Sequence, residues 1–110
     1  MLASLLNTPV TQTQWFQFAW DHRDSHDRIR AAIRTKYRVD QVDYQIEPIN
    51  PIDLKQFLNN NSSLHDAMNA QLHLTSSDLS DVDFKNENQF KAWIALHYQE
   101  HLSAERALGI

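Results

Sequence analysis

Trp15-Phe16-Gln17-Phe18-Ala19-Trp20-Asp21-His22-Arg23-Asp24-Ser25-His26-Asp27-Arg28-Ile29 is the stretch on which the fold turns. Its residues Trp15, Phe18, Ala19, His22, His26 and Ile29, extended to Ile33, fall within an arc of roughly 100° on a helical wheel. The same pattern returns 75 positions later as Phe90, Trp93, Ile94, His97, His101, Ala104 and Leu108. Each copy carries a His-x-x-x-His pair on its apolar face. Two helices of this kind are expected to bury against each other. An antiparallel pairing is expected, with His22 and His26 facing His101 and His97.

Local signals place the remaining elements. Thr11-Gln12-Thr13-Gln14 has capping-box spacing and opens a first helix running to about Arg38. Asn50-Pro51-Ile52-Asp53 supplies a cap, a first-turn proline and an acid at the positive helix end, opening a second. That helix is expected to stop at Asn59-Asn60-Asn61. Ser62 or Ser63 then caps a shorter third through Leu64, Met68 and Leu72. The last helix opens at Asn86 and ends at Leu108, with Gly109 at the left-handed position after it and Ile110 folding back. The expectation is an all-α, single-domain bundle over residues 1–110 with about four helices, the first and last long and central. Residues 1–10 form an arm, and 39–50 and 75–85 are ordered connections.

Composition narrows the classes of function. The chain has 110 residues, 42% of them hydrophobic, with one glycine and no cysteine. One core is affordable at this length, thiolate metal sites are excluded, and glycine-rich nucleotide loops have no glycines to build them. No apolar run is long enough for a membrane span, and no signal peptide is legible in the first residues, so the chain is expected to be soluble and unsecreted. The net charge of −4 divides unevenly: residues 1–39 carry +3 and residues 40–110 carry −7. Such polarity suits association with copies of itself or with other proteins, and overall acidity argues against nonspecific nucleic-acid binding.

Two constellations carry possible chemistry. His22, His26, His97 and His101 are the candidate metal ligands, an N4 set of the kind helical bundles use for zinc, iron or manganese. Inward acids are scarce on the wheel: Glu100 lies about 80° from the stripe centre, and Ser25 holds the matching place on the first helix. The preferred reading is therefore a buried polar layer bonded internally, with no cofactor. His65 and His73 are assigned to surface or capping positions. The second constellation is Phe16, Trp20, Arg23, Arg30, Arg34 and Arg38, on an adjacent face of the first helix. Together with the acidic Asp78, Asp81 and Asp83 it is the candidate protein interface, because Trp and Arg are favoured anchors.

Several segments carry a likeness. Trp20 to Ile29, Leu64 to Asn69, Ser77 to Phe84, Phe90 to Trp93 with His97 and Glu100-His101, and the closing Ala107 to Ile110 together resemble small helical proteins encoded among the structural genes of tailed bacteriophages, over residues 15–110. The resemblance implies a non-enzymatic virion component or assembly protein at the head-tail junction or tail. Its partners would be other virion proteins and copies of itself in a symmetric assembly, found in the virion and, during assembly, in the host cytoplasm. The paired histidines also resemble hemerythrin-like bundles, without their His-x-x-x-Glu helix. That likeness implies the alternative, a His-rich metal-binding bundle acting as a sensor or small oxidoreductase.

Overall fold

The computed structural model describes residues 5–37, 54–77, 82, 83 and 85–110, leaving the side chains of 12 and 54–59 outside the description. Its helices are α1 (Gln12–Tyr37), α2 (Leu54–Leu72) and α3 (Glu87–Leu108), and no strand occurs among the described residues. None of these helices is long and apolar enough to cross a membrane. Arg38, Asp78, Asp81, the 39–50 connection and the Asn50-Pro51 cap lie outside the described residues.

The ends of α1 and α3 follow from their caps. Thr11 Oγ1 accepts from the Gln14 amide at 3.1 Å, while Gln14 Oε1 accepts from the Thr11 amide at 3.0 Å, completing the reciprocal box. Asn86 Oδ1 accepts from the Gln89 amide at 3.1 Å and opens α3. Gly109, at φ +73°, closes it, with its amide donating to Arg106 and the Ile110 amide donating to Glu105.

Where four helices were expected, the described residues form three. The second and third predicted helices are one, α2, running without a break through Asn59-Asn60-Asn61. The physical reason lies in the burial that follows. Each asparagine costs a helix about 0.7 kcal/mol. Burying Leu64, Met68 and Leu72 on one face returns about 1.5–3 kcal/mol apiece. Asn61 is itself fully buried, so the polar run marks an inward-facing site and not a stop.

The central pair also runs opposite to expectation: α1 and α3 are parallel. Trp15 stacks on Phe90 with ring centroids 5.8 Å apart, and Phe18 meets Trp93 at 6.2 Å. Further along, Ser25 meets His101, Arg28 pairs with Glu105, and Lys36 Nζ donates to the Ala107 carbonyl at 2.7 Å. Residue numbers rise together on both helices. The repeat itself demands this, because each copy starts aromatic and ends aliphatic. Parallel packing gathers Leu5, Trp15, Phe18, Phe90, Trp93 and Ile94 into one cluster. It collects Ile29, Ile33 and Ala104 with α2's Leu64, Met68 and Leu72 into the other. Antiparallel packing would have set Trp15 against Leu108. The histidines lie between the two clusters.

Candidate metal centre

Five histidines from three helices meet in that middle layer. α1 contributes His22 and His26 one turn apart, α3 contributes His97 and His101 at the same spacing, and α2 contributes His65. All five are 2% exposed or less. His65, assigned by sequence to a surface or capping position, is instead the hub. Its Nε2 lies 3.1 Å from His101 Nε2, 3.3 Å from His26 Nε2 and 3.5 Å from His22 Nε2. His22 and His26 Nε2 are 3.1 Å apart.

These contacts cannot all be hydrogen bonds. One ring nitrogen has either one proton to give or one lone pair to accept with, so His65 Nε2 can satisfy only one of its three neighbours. His65 Nδ1 faces Glu100 Oε1 at 2.8 Å, a carboxylate that only accepts, so Nδ1 carries a proton. Ser25 Oγ lies 2.7 Å from His101 Nδ1 and 3.3 Å from Glu105 Oε2, linking the ring to the carboxylate. Three Nε2 atoms thus crowd one nitrogen that can pair with a single neighbour, and a cation among them would satisfy the rest. Four nitrogens bound to one tetrahedral ion at about 2.0–2.1 Å are separated by about 3.3–3.4 Å, and the four distances above, 3.1 to 3.5 Å, bracket that spacing.

Electrostatics keeps the donors available. Burial pushes the pKa of His22, His26, His97 and His101 well below the ordinary 6.5, and the neighbouring imidazoles push in the same direction. These four rings are thereby neutral at neutral pH. Glu100 is pulled both ways: burial raises its pKa, but the bond from His65 and the Ser77 amide at 2.6 Å outweigh it, so the net shift is down. It is a carboxylate holding a histidine in the tautomer a metal needs.

The donors divide into an inner and an outer group. His22, His65, His97 and His101 each offer one nitrogen, all within 4.8 Å of one another, and His26 adds a fifth at closer range. His97 Nε2 is engaged by Asn61 Oδ1 at 3.3 Å, and its ring stacks on Trp93 at 4.7 Å. By the shortest distances, His22, His26 and His101 gather around His65 as the near set, while His97 lies within 4.8 Å of His22, His65 and His101. His97 Nδ1 is buried without a hydrogen-bond partner, a reserve donor.

Sequence reasoning found four of the five histidines and missed the one that joins them. A signal was present: Asn61, His65 and Asn69 recur at four-residue spacing beside the Leu64, Met68, Leu72 stripe, and all three are buried. Glu100 and Ser25, matched by the repeat and placed beside the seam by the wheel, are both buried and each secures a ring nitrogen. Of the expected interface, Phe16, Trp20, Arg23 and Arg34 are exposed, Arg30 is partly covered, and Asp83 is exposed. Arg23 lies over the Trp20 ring at 5.9 Å. Compared with known protein families, curated proteins and solved structures, the chain matches none.

Proposed function

We propose that this protein is a transition-metal-binding helical module in which one ion ties together α1, α2 and α3. What carries the reading is the crowding of the His22, His26 and His101 Nε2 atoms around His65 Nε2, at 3.1 to 3.5 Å, in a layer closed to solvent. Imidazole-only donors suit zinc, iron, copper or nickel and not magnesium or calcium. A closed set of four protein ligands is the arrangement of structural ions, whereas catalytic sites keep a position open for water or substrate. The ion's role here is to lock the fold, with no enzymatic step. Elemental analysis of protein produced without a histidine tag tests this. Near-stoichiometric metal, lost with dialysis against a strong chelator and accompanied by a fall in Tm, is expected. Metal-free protein with an unchanged Tm after metal is supplied contradicts it.

A second reading gives the module a setting, and Trp20 favours it. That side chain is 57% exposed on α1 with Arg23 stacked over it and Phe16 one turn before. A tryptophan paired with arginine on an open helix face suits a protein contact. The bacteriophage resemblance assigns that contact to other virion proteins or to copies of this chain in a symmetric assembly. Mass spectrometry of purified particles tests it: the protein is expected in the particle, and Trp20→Ala is expected to remove it from the particle while leaving Tm unchanged.

A further inference from the structure

We infer that Glu100 and Glu105 select the ion: the centre takes a divalent d-block ion with tetrahedral preference, zinc or cobalt(II), whose charge these two carboxylates balance from one hydrogen bond away. The inference rests on the metal-binding reading above and deepens it. Neutral imidazoles bring no charge to their ion, and an uncompensated 2+ charge in a closed layer is costly. Among the described residues the buried carboxylates are Glu100 and Glu105. Each reaches a different inner ligand. Glu100 holds His65 Nδ1 directly at 2.8 Å, and Glu105 holds His101 through the Ser25 hydroxyl.

Two carboxylates favour a cation in the layer and imidazole donors favour a divalent d-block ion, while Arg30 beside His26 and Arg28 beside His101 weigh against a higher charge. Arg28 meets the other oxygen of Glu105 at 3.3 Å, but its side chain is 43% exposed and water shares that charge. Geometry narrows the ion further. Four edges among His22, His26, His65 and His101, at 3.1 to 3.5 Å, suit a tetrahedron, which zinc and cobalt(II) accept readily, whereas copper(II) and nickel(II) favour square-planar arrangements. Glu100 and Glu105 are positioning residues, acting on the ion through His65 and His101. Backbone enters too, because Glu100 Oε2 accepts from the Ser77 amide and so ties the chain after α2 to the centre.

The test is titration of the untagged, chelator-treated full chain with Co2+, followed by visible absorption, and by competition with Zn2+, Mg2+ and Ca2+. Wild type is expected to bind one Co2+ with the strong visible bands of a tetrahedral complex, displaced by Zn2+ but not by Mg2+ or Ca2+. Glu100→Gln and Glu105→Gln are expected to keep those bands and to bind roughly 10- to 100-fold more weakly. Failure of wild type to bind Co2+ or Zn2+ overturns the metal reading and this inference together. Binding by wild type with unchanged affinity in both variants overturns the inference alone, as does a pale octahedral spectrum. Should a variant lose its helical circular dichroism, the wild-type spectrum and the Mg2+ and Ca2+ competitions still decide.

Discussion

At the scale of residues, the centre depends on how each imidazole is held from behind. His65 has a carboxylate on Nδ1, His101 a serine hydroxyl, and His97 an asparagine on Nε2 and a tryptophan across its face. Different substitutions should therefore separate binding from packing. His65→Ala takes away the nitrogen that touches three others, and its metal content is expected to fall close to zero. His97→Ala takes away a flanking ring, and is expected to retain most of the metal while losing about 2–4 kcal/mol of stability through the cavity left beside Trp93 and Phe18. Elemental analysis and denaturant titration of the two variants check this, and loss of metal from His97→Ala alone would move His97 into the inner set. Both pairs on α1 and α3 were legible in the sequence because they repeat on an apolar stripe. Glu100 was legible only as a neighbour. A wheel drawn for two helices gives too narrow a buried arc, and α2 covers the side on which Glu100 lies.

At the scale of elements, helix ends were easier to read than helix continuity. Capping uses two or three adjacent residues, so Thr11, Gln14, Asn86 and Gly109 declare themselves locally. Whether a helix passes through three asparagines depends on what its next turns bury, which no local window contains. The end of α2 has its own cost. His73 sits at φ +57°, its amide donating to Ala70, while Leu74 donates to Asn69 at 2.8 Å and packs on the aliphatic cluster. This is a Schellman ending built on a residue with a Cβ. The left-handed conformation costs an L-residue about 1–2 kcal/mol that glycine avoids. His73→Gly is expected to raise stability by about 1 kcal/mol, and Gly109→Ala to lower it by a similar amount. No atom lies within 4 Å of a Cβ added at Gly109, so its loss comes from backbone conformation alone. Thermal melts of the metal-loaded protein measure both; a destabilised His73→Gly would mean that the His73 side chain contributes more than its backbone strain removes.

At the scale of the whole molecule, the parallel course of α1 and α3 brings a polar layer between an aromatic cluster and an aliphatic one. The repeat contained that polarity, since both copies begin with rings and end with aliphatic side chains, but spacing alone matches in either direction. Only the chemistry of the two ends tells them apart. Burying His22, His26, His97 and His101 in this layer makes stability a function of pH, with a sign that can be worked out. His22, His26, His97 and His101 have folded pKa values well below the ordinary 6.5 that they regain on unfolding. Above about pH 7 neither state binds these protons, and stability is level. As pH falls below about 6.5 the unfolded chain takes up protons that the folded chain refuses, and stability drops by up to about 1.4 kcal/mol per pH unit for each histidine. Glu100, whose folded pKa is lowered, gives stability that is lost only at lower pH, below the ordinary carboxylate range. Metal-free protein is therefore expected to show a denaturant midpoint that is flat from pH 8 to 7 and falls steeply from pH 6.5 to 5. With zinc bound the starting stability is higher, and the fall below pH 6.5 keeps the same slope for as long as the folded layer refuses protons. A midpoint that holds or rises on acidification would mean that the histidines admit protons in the folded state, and the closed layer on which the metal centre depends would not exist.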